Sequence, residues 1–185
     1  MKRSIFLILV LLISLFGCSD RQDTLKFNIL NTAIHNKKYI SYEMNIGNTV
    51  SKAVITSELW QNGECVKSDP LEADSIVKEI DISFLIDMNN SDGTKGLSIQ
   101  IDTDDAIAAD INYFELPKQA NGYSFTAYKD GEVIEITADK DIILAALAFD
   151  TGNGVRTADC KVFTDEPEKL SEYSCISIIR MSFEK

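Results

Sequence analysis

From Thr24 onward, apolar and polar residues exchange places with a period of two along most of the chain. Leu25 and Phe27 alternate with Lys26 and Asn28, and Ile40, Tyr42, Met44 and Ile46 alternate with Ser41, Glu43 and Asn45. Ile76, Ile80, Ile82, Phe84 and Ile86 share one parity, with Glu79, Asp81 and Ser83 on the other; Leu97, Ile99 and Ile101 repeat the pattern against Ser98, Gln100 and Asp102. Successive strand side chains point to opposite sides of a sheet, so this period predicts strands with one buried and one wet face. Helical spacing is scarce. Leu71–Lys78 and Asp104–Asp110 are expected to form short helical turns at most.

Turn signals separate the strands. Asn62-Gly63 lies between Ala53–Gln61 and Glu64–Lys67, and Lys129-Asp130-Gly131 lies between Tyr123–Tyr128 and Glu132–Ala138. Asn-Gly and Asp-Gly supply the positive φ of tight hairpins. Residues 88–93 read as a longer loop between two strong strands. The expected fold class is therefore all-β, an antiparallel β-sandwich. A faint repeat suggests a division: Gly47–Ala53 matches Gly152–Ala158 at four of seven positions, and Ile80–Phe84 is similar to Ile179–Phe183. It points to two tandem immunoglobulin-like domains, 24–105 and 118–185, joined by a linker at 106–117. One larger sandwich is the alternative.

The first residues follow a different logic. Lys2 and Arg3 precede an apolar run, Ile5–Phe16, too short for a stable membrane span of about 20 residues. The run closes on Leu15-Phe16-Gly17-Cys18, which resembles the lipobox of bacterial lipoproteins. The resemblance covers residues 1–18 and implies a signal peptide at 1–17, diacylglyceryl and palmitate chains on Cys18, and export to the outer face of a plasma or outer membrane. Residues 18–24 would be the lipidated cysteine and a polar tether. Of 185 residues, 18 are basic and 29 acidic; without the first seventeen, 168 remain and the loss of Lys2 and Arg3 leaves a formal charge of −13. Such a charge repels nucleic acid and anionic headgroups, so the expected membrane contact is covalent lipid.

Three further cysteines remain. Cys160 and Cys175 lie symmetrically about the turn signal Asp165-Glu166-Pro167-Glu168, as partners across a hairpin would. They are expected to form a disulfide, and Cys65 to be buried and inert.

Candidate chemistry is sparse. The sole histidine, His35, stands in a polar turn beside Lys37 and Lys38, which argues for a surface role. Leu147-Ala148-Phe149-Asp150-Thr151-Gly152 resembles the active-site motif of aspartic proteases, in which two facing carboxylates share a proton. Only one Asp-Thr-Gly is present, so Asp150 would need a symmetric dimer. Ser75–Lys78 has the Ser-x-x-Lys spacing but sits in strand context, which separates the two side chains. Asp87, Asn89 and Ser91 place oxygens on alternate residues as a calcium loop begins, and Asp102, Asp104 and Asp105 form a second acidic group. Neither completes a ligand set, and no cofactor is expected. Trp60, near a hairpin turn, is the candidate stacking ring for a glycan.

The sequence thus predicts a lipid-anchored, non-enzymatic envelope protein that binds a protein, peptide or glycan through loops or an exposed sheet face. A structural subunit pairing through an edge strand, and a dimeric aspartic-type hydrolase centred on Asp150, are the alternatives.

Overall fold

The computed structural model describes residues 24–28, 37–45, 52–72, 79–88, 94–103, 110–137, 140–152 and 154–184. The described strands are β1 (Thr24–Asn28), β2 (Lys37–Asn45), β3 (Lys52–Gln61), β4 (Glu64–Glu72), β5 (Glu79–Asp87) and β6 (Gly96–Thr103). They continue with β7 (Asp110–Glu115), β8 (Gly122–Ala127), β9 (Val133–Glu135), β10 (Ile142–Asp150) and β11 (Cys175–Glu184). They form two antiparallel sheets, ordered β7-β6-β5-β2-β1-β9 and β4-β3-β11-β10-β8.

The sheets pack face to face. Ile40, Tyr42, Ile80, Ile82, Phe84, Leu97, Ile99 and Ile101 meet Ile55, Leu59, Leu144, Leu147, Ile179 and Met181 in one core. The alternation read from the sequence is the cause. Even residues of β5 and odd residues of β6 face inward, and each large aliphatic side chain so buried contributes about 1.5–3 kcal/mol. The fold is an all-β sandwich, as expected.

The two expected halves are not separate. β3 pairs with β11 along ten positions, from Lys52↔Glu184 to Gln61↔Cys175, and β7, drawn from the expected linker, is an edge strand beside β6. Strands of 24–105 and 118–185 therefore share both a sheet and a core. The similar segments Ile80–Phe84 and Ile179–Phe183 fall in β5 and β11, in different sheets with different neighbours. Local similarity specified strands and left their partners open.

Asn62-Gly63 makes the expected two-residue turn, with φ of 52° and 84°. Lys129–Gly131 also turns, with the Glu132 N–H on the Lys129 carbonyl at 3.0 Å, but β8 and β9 enter different sheets, so it is no hairpin.

β10 is buried along almost its whole length because both its faces are covered. A short helix, α1 (Cys160–Asp165), and a 3-10 turn (Pro167–Glu172) cover the outer side, where Ile143, Ala146, Ala148, Ile176 and Ile178 pack against Phe163 and Leu170. Asp159 caps α1 by accepting from the Lys161 N–H at 3.0 Å. A bulge at Leu144 places Leu144 and Ala145 both toward the inner core.

This helical layer overturns the expected hairpin and its disulfide. Cys160 lies at the level of Leu144, whose carbonyl accepts from its Sγ at 3.6 Å, whereas Cys175 adjoins Ile176, opposite Ala148. Four strand residues separate those levels, roughly 13 Å, and a disulfide requires Cα atoms within about 7 Å. Both are buried free thiols. Cys65, expected inside, is exposed on edge strand β4, its Sγ donating to the Lys67 carbonyl at 3.3 Å.

Candidate functional site at the loop end of the sandwich

Turn 62–63 and the segments 116–121, 151–152, 154–159 and 173–174 gather at one end of the sandwich. The Asn62 N–H donates to the Ser174 carbonyl at 3.1 Å and the Asn121 N–H to the Asp150 carbonyl at 2.8 Å, which ties these loops together across the ends of β3, β8, β10 and β11. Two clefts flank Ser174. One, of about 420 Å³, is lined by Gln61, Asn62, Glu115, Lys118 and Gln119; the other, of about 370 Å³, by Asp150, Thr151, Arg156, Glu172 and Tyr173.

The second cleft owes its shape to Asp150 and Tyr173. Asp150 Oδ1 accepts from the Gly152 and Gly154 N–H groups at 2.8 and 2.9 Å. The two glycines have φ of 126° and 74°, where a side chain would be strained. The Tyr173 ring packs edge-on against Phe163 at 5.6 Å. Its hydroxyl accepts from the Ala158 N–H at 2.9 Å and donates to the Arg156 carbonyl at 3.2 Å. The strap 154–158 is thereby fixed with Arg156 and Glu172 on the cleft wall. Amides, hydroxyls and charges of both signs line the clefts, a surface equipped to hydrogen-bond a polar ligand.

Among the residues singled out in the sequence, Asp150 lies in this region and holds its own loop. Trp60 lines neither cleft. Its indole N–H donates to Glu58 Oε2 at 2.7 Å and its half-buried ring packs against the outer apolar cluster that includes Ile176, its partner across the β3–β11 ladder. Glu58 also accepts from Arg180 Nε at 2.8 Å and Nη2 at 3.2 Å, and Asp141 lies 3.4 Å from Arg180 Nη1. Asp87 and Asp102 occupy opposite ends of the six-stranded sheet, six β6 positions apart or roughly 20 Å, so they do not share a site. Asn89, Ser91, Asp104, Asp105, His35, Ser75 and Cys18 lie outside the described residues. Among the described residues no three His, Cys, Asp or Glu side chains cluster as a metal site would need.

Lys118, Arg156, Glu172 and Tyr173 were missed because loop residues carry no periodic signal. The Gly-Asn-Gly that follows Asp150 was the available sign of a shaped loop. No family model, curated protein or solved structure matches the chain.

Proposed function

We propose that the protein is anchored to the outer face of a bacterial membrane by lipid on Cys18 and serves there as a non-enzymatic recognition protein. The carrying observation is Leu15-Phe16-Gly17-Cys18 behind a basic and an apolar segment. Two or three acyl chains, at about 0.8 kcal/mol per buried CH₂, suffice for a lasting anchor.

The direction of the fold supports this reading. β1 begins at Thr24, about ten ladder positions, roughly 33 Å, from the row of Asp87, Gly96 and Glu115 beside the first cleft. The six residues from Cys18 reach at most about 20 Å. An anchor there holds the Thr24 end near the lipid and turns the clefts outward. Their mixture of Gln61, Asn62, Lys118, Arg156 and Glu172 suits a peptide or glycan.

Assembly through an edge strand has less support. Lys67 of edge strand β4 donates to the Tyr113 carbonyl of edge strand β7 at 2.9 Å, and Pro70 interrupts the β4 donors. Mass spectrometry of protein from its native host tests the anchor. An N-terminal peptide starting at acylated Cys18, and release of Cys18→Ala from membranes, is the expected result; an unacylated chain starting at Met1 would overturn it.

A further inference from the structure

The outward face of the six-stranded sheet carries Glu43 on β2, Glu79, Asp81 and Asp87 on β5, Asp102 on β6 and Glu115 on β7. Register sets Glu43 opposite Glu79 and Asp81 opposite Asp102. Like charges directly opposed weaken a sheet, and Asp81 facing Asp102 is such a cost, whereas Glu43 is also opposed by Lys26 of β1. Asp102 accepts from the Gln100 amide at 3.0 Å, and Asp81 is hydrogen-bonded to Tyr39; neither forms an ion pair with a described residue. Lys26 and Lys37 hold register positions at the β1–β2 margin, leaving the face acidic on balance.

Between the acidic rows lies apolar surface. Leu85 and Tyr113 flank Ser98 in one cross-strand row and are 52% and 49% exposed. Tyr113 lies over Gly96, where a Cβ would collide with its phenol end. The glycine lets the ring rest on the sheet with its other side free. Ser41, Ser83 and Ser98 are small neighbours on the same face.

We infer that this face docks a basic protein segment, an extended stretch with cations at both ends and an apolar centre. Charge complementarity selects the occupant: carboxylate rows stand on both sides of Leu85 and Tyr113. Rows two residues apart repeat at about 6.6 Å, the spacing of alternate side chains in an extended peptide, so about eight residues span the face. The carboxylates speed encounter with a cation and offer no such attraction to a neutral glycan. The surface meets the first loop-end cleft at Glu115 and is separate from the second.

The probe is a capped, fluorescein-labelled peptide, KKGLFGKK, titrated into the purified full chain and read by anisotropy. Binding that weakens with added salt is expected, with Kd rising about tenfold in Asp81→Asn/Asp102→Asn and again in Tyr113→Ala. Glu64→Gln/Glu168→Gln, which removes the same charge elsewhere, is expected to change Kd less than about twofold. Asp81→Asn/Asp102→Asn removes a repulsion and stays folded, so its result stands if Tyr113→Ala does not fold. No saturable binding, equal loss in the Glu64/Glu168 control, or Tyr113-dependent binding of cellohexaose without peptide binding would each overturn the inference.

Discussion

The Tyr42 hydroxyl donates to the Leu144 carbonyl at 2.6 Å, tying β2 of one sheet to the bulge in β10 of the other. Both residues are fully buried, and burial holds the Tyr42 hydroxyl well above its ordinary pKa, so it stays a donor. The bulge removes Leu144 from the β11 register, and besides Tyr42 its carbonyl meets the weak Cys160 donor at 3.6 Å. Tyr42→Phe leaves that acceptor poorly satisfied and is expected to cost about 1–3 kcal/mol. Urea unfolding checks this as a lower midpoint at unchanged slope.

Arg180 is the cation of the partly buried Glu58 network. Arg180→Ala leaves the Glu58 carboxylate with the Trp60 indole but no charge partner among the described residues, and is expected to destabilise by about 3 kcal/mol. A double-mutant cycle with Glu58→Gln should show coupling, because most of the loss is the stranded carboxylate. Additive effects would contradict the pairing.

Asp150 acts on its loop. Asp150→Ala is expected to open the 151–155 segment by about 1 kcal/mol and speed hydrogen exchange at the Gly152 and Gly154 amides. Asp150→Asn keeps an acceptor oxygen and should preserve most of the protection.

Thiol reactivity separates the cysteines. Cys65 is exposed, although burial of its surroundings and the Glu58 charge push its pKa up, so it should react slowly but in the native state. Burial pushes Cys160 up strongly and Cys175 to about 12, and neither sulfur reaches solvent. Maleimide labelling followed by mass spectrometry should find one modification beyond Cys18 in folded protein and three in denaturant. A bridged Cys160–Cys175 peptide would refute the separation.

Tyr39 reports on the acidic face. Burial, then the hydrogen bond and charge of Asp81, then the charge of Asp102, push its pKa from 10.0 to about 12. The unfolded chain therefore releases this proton first, and stability present below pH 10 is lost as pH rises toward about 12. Asp102→Asn should lower the Tyr39 transition part of the way in a 295 nm titration and stabilise the fold by up to about 1 kcal/mol at neutral pH.

Much of the sandwich was legible from one-dimensional pattern, and where it was not, the missing information was a partner. Ile80, Ile82, Phe84 and Ile86, and Leu97, Ile99 and Ile101, are buried as their parity required. The symmetry of Cys160 and Cys175 reads as a hairpin, whereas Asp159 before Cys160, Phe163 three residues later and Pro167 at the next start are helical signals. The apolar residues of segment 160–172 cover the outer side of β10, a need that no local window records.

By itself the sequence determined the all-β class, the inward parity of the long strands and the Asn62-Gly63 turn, because each depends on residues a few positions apart. Only the tertiary structure decided that β3 joins β11, that β8 and β9 part company, that Cys160 and Cys175 lie apart, and that Asp81 meets Asp102. Alternation says which side of a strand is buried. The backbone ladder is nearly the same for every pairing, so the choice among partners falls to the packing of the whole core.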